Sequence, residues 1–127
     1  MNMLVRSSAP LLLTLCVSAS ALAEPSNKWR IEVDEAARAT GEIELSFTPA
    51  GAPPSAVVVA IPAGTREDSA ALLIRAAIHE RFGEGVYETE IDDGEDVLVK
   101  ARGSTPDFDL VLIRNTADGL DLDLERE

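Results

Sequence analysis

The segment "TREDSAALLIRAAIHERFG" (65–83) is the one convincing helix in this 127-residue chain. Ala71, Ile74, Ile78 and Phe82 recur at helical spacing, flanked by Ala70, Leu73 and Ala77. They form one apolar stripe, which should face a sheet. Thr65 stands where an N-cap belongs, with Asp68 in the capping-box position, and Glu67 and Asp68 suit the positive end of the helix dipole. Gly83 stops the helix.

Around this helix the pattern has period two. In "WRIEV" (29–33), Trp29, Ile31 and Val33 share one side; in "GEIELSFTP" (41–49), Ile43, Leu45 and Phe47 do, with Glu42 and Glu44 opposite. Such alternation marks strands with one wet face. "AVVVAIP" (56–62) is instead a continuous apolar run, expected to be a strand buried on both faces. Four more strands follow the helix: 86–92, 96–102, 108–115 and 120–126. Their short connections leave no room for parallel crossovers and point to an antiparallel meander. The expected fold class is α+β: one helix packed on a mostly antiparallel sheet of six to seven strands, with the helix after the third strand.

"YETEIDDGEDVLV" (87–99) reads as a hairpin. A two-residue turn at Asp93-Gly94 would set Val97 and Val99 against Glu90 and Glu88, which a buried face does not accept. A three-residue loop, Asp92-Asp93-Gly94, pairs Tyr87 with Val99 and Thr89 with Val97, and places Gly94 at the left-handed position. The loop fails the EF-hand pattern, since aligning Gly94 to the sixth-position glycine puts Ile91 at a ligand position. Asp92, Asp93, Glu95 and Asp96 remain a candidate site for a weakly held cation such as calcium, and no other cofactor is expected.

Residues 1–23 read as a cleaved export signal: one charge at Arg6, a short apolar core at 9–19, and Ala21 and Ala23 at the small-residue positions before the cut. Leu15 stands where a lipidation signal before Cys16 wants a small residue, so no lipid anchor is expected. The protein should be exported, to the periplasm or beyond, as one small acidic domain, 24–127. That domain has no cysteine, which removes disulfides, zinc–thiolate sites and thiol nucleophiles. Removing Arg6 from the count leaves ten basic residues against 23 acidic ones, a net charge of −13. Such a surface repels nucleic acid and anionic membranes and favours a basic protein or a divalent cation.

Catalytic constellations are hard to assemble. His79 is the sole histidine, expected on the surface, and no G-x-S-x-G elbow is present. One histidine does not make a multi-histidine zinc site. Gly51, Gly64 and Gly103 belong to no phosphate-cradling motif. Carboxylate pairs are plentiful, so a small carboxylate-based hydrolase stays as an alternative. With few aromatics, however, there is little to line a sugar cleft.

Over 41–102 the order of an apolar strand, "IPAGT" (61–65), the Ala-rich "SAALLIRAAI" (69–78) and a hairpin ending in "VLVKAR" (97–102) resembles a known module. It is similar to the small strand–strand–helix–strand–strand units of phage tail-sheath and related bacterial surface proteins. That resemblance implies a structural, assembly-mediating role without catalysis. The reading is therefore a non-enzymatic binding or assembly module. Its partner would be a basic protein, met through strand faces carrying Glu42, Glu44, Asp121, Asp123 and Glu125; a calcium-responsive protein is the alternative.

Overall fold

The computed structural model describes residues 24–127; the expected export signal, with Cys16, lies outside the described residues. The elements are β1 (Lys28–Asp34), β2 (Gly41–Pro49), β3 (Ser55–Ile61), α1 (Glu67–Phe82), β4 (Tyr87–Asp92), β5 (Asp96–Ala101), β6 (Phe108–Asn115) and β7 (Asp121–Arg126). Among the described residues the fold is α+β, with one helix, which follows the third strand. The strands do not form one sheet: β4-β5-β1-β7 make a four-stranded sheet and β3-β2-β6 a three-stranded one, each antiparallel throughout. Nor do the last four strands form a meander, because only β4 and β5 are neighbours. β6 crosses to β2 and β7 returns to β1.

The reason is coverage. Seven strands spaced about 4.8 Å apart present an apolar face roughly 30 Å wide, and one helix is only about 10 Å across. Two facing sheets cover each other instead. Trp29, Ile31, Val33, Tyr87, Val97 and Val99 from one sheet meet Ile43, Leu45, Phe47, Val57, Val59, Ile61 and Phe108 from the other in one buried core. The helix closes the side between the β3 and β4 edges with Ala70, Ala71, Ile74 and Ile78, while β6 and β7 touch on the opposite side.

All three phenylalanines and the only tyrosine meet at one end of this core. The Phe47 ring lies 5.0 Å from Phe82, 5.2 Å from Tyr87 and 5.6 Å from Phe108, centroid to centroid. The rings therefore join both sheets and the helix terminus, at spacings favourable for aromatic pairs. Trp29 is buried as well, and its indole N–H donates to the Phe108 carbonyl at 2.8 Å. The Ser26 N–H donates to the same carbonyl, pinning the N-terminal lead to the edge of β6.

Three local expectations are corrected. β3 is buried on one face only: Val57, Val59 and Ile61 point inward, but Val58 is 50% exposed, because none of the described residues covers it on the outer side of the three-stranded sheet. Thr65 does not cap the helix. Its hydroxyl donates to the Pro62 carbonyl at 2.7 Å, and Arg66 occupies the N-cap position without a side-chain bond. His79 is half-buried rather than on the surface, with its Nε2 hydrogen-bonded to the Thr89 hydroxyl.

The hairpin register also differs from the expected one, by two residues. Tyr87 pairs with Ala101, Thr89 with Val99 and Ile91 with Val97, closing at Asp92↔Asp96. Asp93 and Gly94 both have positive φ, as in a two-residue type I′ turn. Glu95 is then an extra residue, since a two-residue turn would have paired Asp92 with Glu95 itself. A shift of two preserves which side chains face the core, so Val97 and Val99 stay inside.

Candidate functional site

Because Ile31 and Val33 face the core, strand alternation turns Arg30, Glu32 and Asp34 of β1 to the outside of the four-stranded sheet. Glu88, Glu90 and Asp92 of β4, Asp96 of β5, and Asp121, Asp123 and Glu125 of β7 share that outer face. Registers then set acids against acids. Glu32 lies opposite Asp96 on one side and Asp123 on the other, and Asp34 lies opposite Asp121. Like charges directly opposite each other destabilise a sheet.

Two carboxylate groupings result. Oxygens of Glu32, Asp123 and Glu125 lie within 4.8 Å of one another, and so do those of Asp34, Glu67 and Glu95. The negative charge of Glu125, helped by partial desolvation and by Asp96 and Asp123, holds the Glu32 carboxyl above its ordinary range. Desolvation, with Glu67 and Asp34 nearby, does the same for Glu95. Among the described residues, no lysine or arginine forms an ion pair with Glu32, Asp123 or Glu125.

Next to this uncompensated ridge the same face holds a compensated one. The Arg30 guanidinium, whose side chain is 19% exposed, donates from Nη1 to Asp92 at 3.0 Å and to Asp96 at 2.7 Å. Its Nε donates to Glu127 at 3.1 Å. The Glu127 bond, then those to Asp96 and Asp92, raise the arginine pKa above its ordinary value. The four residues expected to hold calcium are thereby divided. Asp92 and Asp96 converge on Arg30, Glu95 joins Asp34 and Glu67, and Asp93 stands exposed at the turn.

The expected partner-binding residues are divided too. Asp121, Asp123 and Glu125 belong to the four-stranded sheet, whereas Glu42 and Glu44 lie on the outer face of the three-stranded one. There Arg114 binds both, with Nη2 at 2.9 Å from Glu42 and Nε at 3.1 Å from Glu44. A β-bulge makes this pairing. Leu45 lies opposite Leu112 but Glu44 lies opposite Arg114, so Ile113 is the extra residue that turns Arg114 outward. Hydrogen bonds to Glu42 and then Glu44 raise the Arg114 pKa.

Sequence reasoning did not single out Glu32, Asp34 or Glu67 as site residues, Glu67 being read only as a favourable charge at the helix start. Glu32 shows its wet face in the alternation of "WRIEV", but its neighbours come from strands more than 60 residues away. No local pattern carries that register. The Thr89–His79 hydrogen bond is the nearest approach to a hydroxyl–imidazole pair, and Thr89 is 6% exposed, on the core side of β4. No helix among the described residues is long and apolar enough to cross a membrane. Comparison with protein-family models, curated proteins and solved structures finds no match for this chain.

Proposed function

We propose that the protein is an exported, non-enzymatic binding module that recognises a basic protein through the outer face of its four-stranded sheet. The observation that carries this reading is the trio Glu32, Asp123 and Glu125, held within 4.8 Å by strand register, none of which is ion-paired to a lysine or arginine among the described residues. Crowded carboxylates repel, and an incoming lysine or arginine relieves that repulsion as it binds. Asp121, Glu88 and Glu90 extend the negative field around the trio. Glu42 and Glu44 drop out of the contact set, since Arg114 already engages them. Export is part of the proposal on the strength of residues 1–23 alone.

A field of this kind steers association and weakens with salt, because the screening length shrinks from about 10 Å at 0.1 M to about 3 Å at 1 M. The test is calorimetric titration with a ten-residue oligolysine peptide at low and high salt. It is repeated on a variant carrying Glu32→Gln, Asp123→Asn and Glu125→Gln. The reading expects binding that weakens with salt and falls at least about tenfold in the variant. Binding that ignores both changes would sink it. If instead calcium raises the melting temperature at matched ionic strength and the peptide does not bind, the carboxylates serve a divalent cation.

A further inference from the structure

At the end of the three-stranded sheet the β2–β3 connection folds over a groove of about 520 Å³. That size falls within the range of about 300–1,000 Å³ usual for ligand sites. Its walls are Pro25, Pro49, Ala50, Ala52 and Pro53, and its polar wall includes Asp109. The groove is built by the chain rather than left over from loose packing. The Ala50 N–H donates to the Asp107 carbonyl at 2.9 Å, the Ala52 N–H donates to that of Pro49 at 3.0 Å, and the Ser26–Phe108 bridge holds the neighbouring Pro25. Three prolines fix their own φ, so little freedom is lost when something binds there.

Asp109 lies on the outer face of β6, opposite Thr48, and is half-buried. Among the described residues it forms no ion pair, unlike Glu42 and Glu44 on the same face. Apolar walls with one uncompensated carboxylate select a particular occupant. A second anion is repelled. A purely apolar side chain would cover the carboxylate without bonding it, which is costly. A long basic side chain satisfies both parts, laying its methylene stem on the prolines and alanines and its charged head on Asp109.

We infer that this groove is a binding site for a single lysine or arginine side chain of a polypeptide partner. The inference rests on the proposed function only for the partner's basic character, since the groove and the acidic face lie on different sheets. The test is an NMR titration of the ¹⁵N-labelled protein with an N-acetylated Gly-Lys-Gly amide at low salt. The control is the same peptide carrying norleucine in place of lysine. The lysine peptide should shift the amides of 48–52 and 109 saturably, and the norleucine peptide should not. Asp109→Asn should weaken the effect about tenfold, as expected for loss of a partly desolvated charge pair. The Glu32→Gln, Asp123→Asn, Glu125→Gln variant should leave these shifts intact. Equal shifts with norleucine, indifference to Asp109→Asn, or a response confined to the four-stranded sheet would each overturn the groove. Failure of the unmodified protein to bind oligolysine at the acidic trio, with the groove shifts retained, would overturn the proposed function alone.

Discussion

Glu32 and Arg30 are two residues apart on one face of β1, yet their surroundings are opposite in sign. Glu32 is flanked by Asp96 and Asp123 across the strands, with Glu125 in reach, while Arg30 gathers Asp92, Asp96 and Glu127. Glu32→Gln removes a charge that its neighbours repel, so it should raise the melting temperature while weakening oligolysine binding. Thermal unfolding and calorimetry on the same variant check both parts, and opposite signs for stability and binding are the expected result. Arg30→Met leaves three carboxylates without their common cation. Loss of its charged hydrogen bonds, discounted for partial exposure, should cost about 1–2 kcal/mol in urea unfolding. The side chains pointing outward were readable from alternation in the sequence. Their partners were not, because Arg30 and Glu127 are 97 residues apart.

The β4–β5 hairpin shows how an element can be legible in its faces and wrong in its register. Alternation required Val97 and Val99 on the side of Tyr87 and Thr89, and a loop of odd length satisfied that requirement. Which three residues form the loop depends on the turn itself. Asp93 and Gly94 adopt positive φ, and Glu95 restores the parity. Deleting Glu95 should convert the loop to a plain two-residue turn that still closes at Asp92↔Asp96, so Val97 and Val99 stay on the side of Thr89 and Ile91. No core pair changes, so the deletion should move the denaturant midpoint little, and a collapsed midpoint in urea unfolding would contradict this register. Glu95→Ser keeps the residue count and should retain near-normal stability. The same logic explains β3, whose unbroken apolar run pointed to burial on both faces. An edge strand with its outer side uncovered needs only Val57, Val59 and Ile61 inside, and the run length says nothing about what lies beyond.

Across the whole molecule the acid excess sets a pH dependence. Glu32 and Glu95 hold their protons to higher pH in the folded protein than in the unfolded chain, because neighbouring carboxylates and desolvation disfavour their charged forms. The folded state therefore binds more protons through that range, and stability rises as pH falls through the raised values. The gain is complete once the pH is below the ordinary glutamate range and absent at neutral pH. Thermal melts from pH 7 to pH 5 should show a rising midpoint, and a monotonic fall would contradict the arrangement of these groups. By itself the sequence determined six to seven strands and one helix, the stripe the helix buries, the wet face of most strands and the strongly negative charge. Each of these is a local periodicity or a composition. Only the tertiary structure decided that the strands divide into two sheets, that Glu32 meets Asp123 and Glu125, and that Arg30 and Arg114 neutralise the acids they do. Those outcomes depend on pairings across tens of residues, chosen by how seven apolar faces and one narrow helix cover one another.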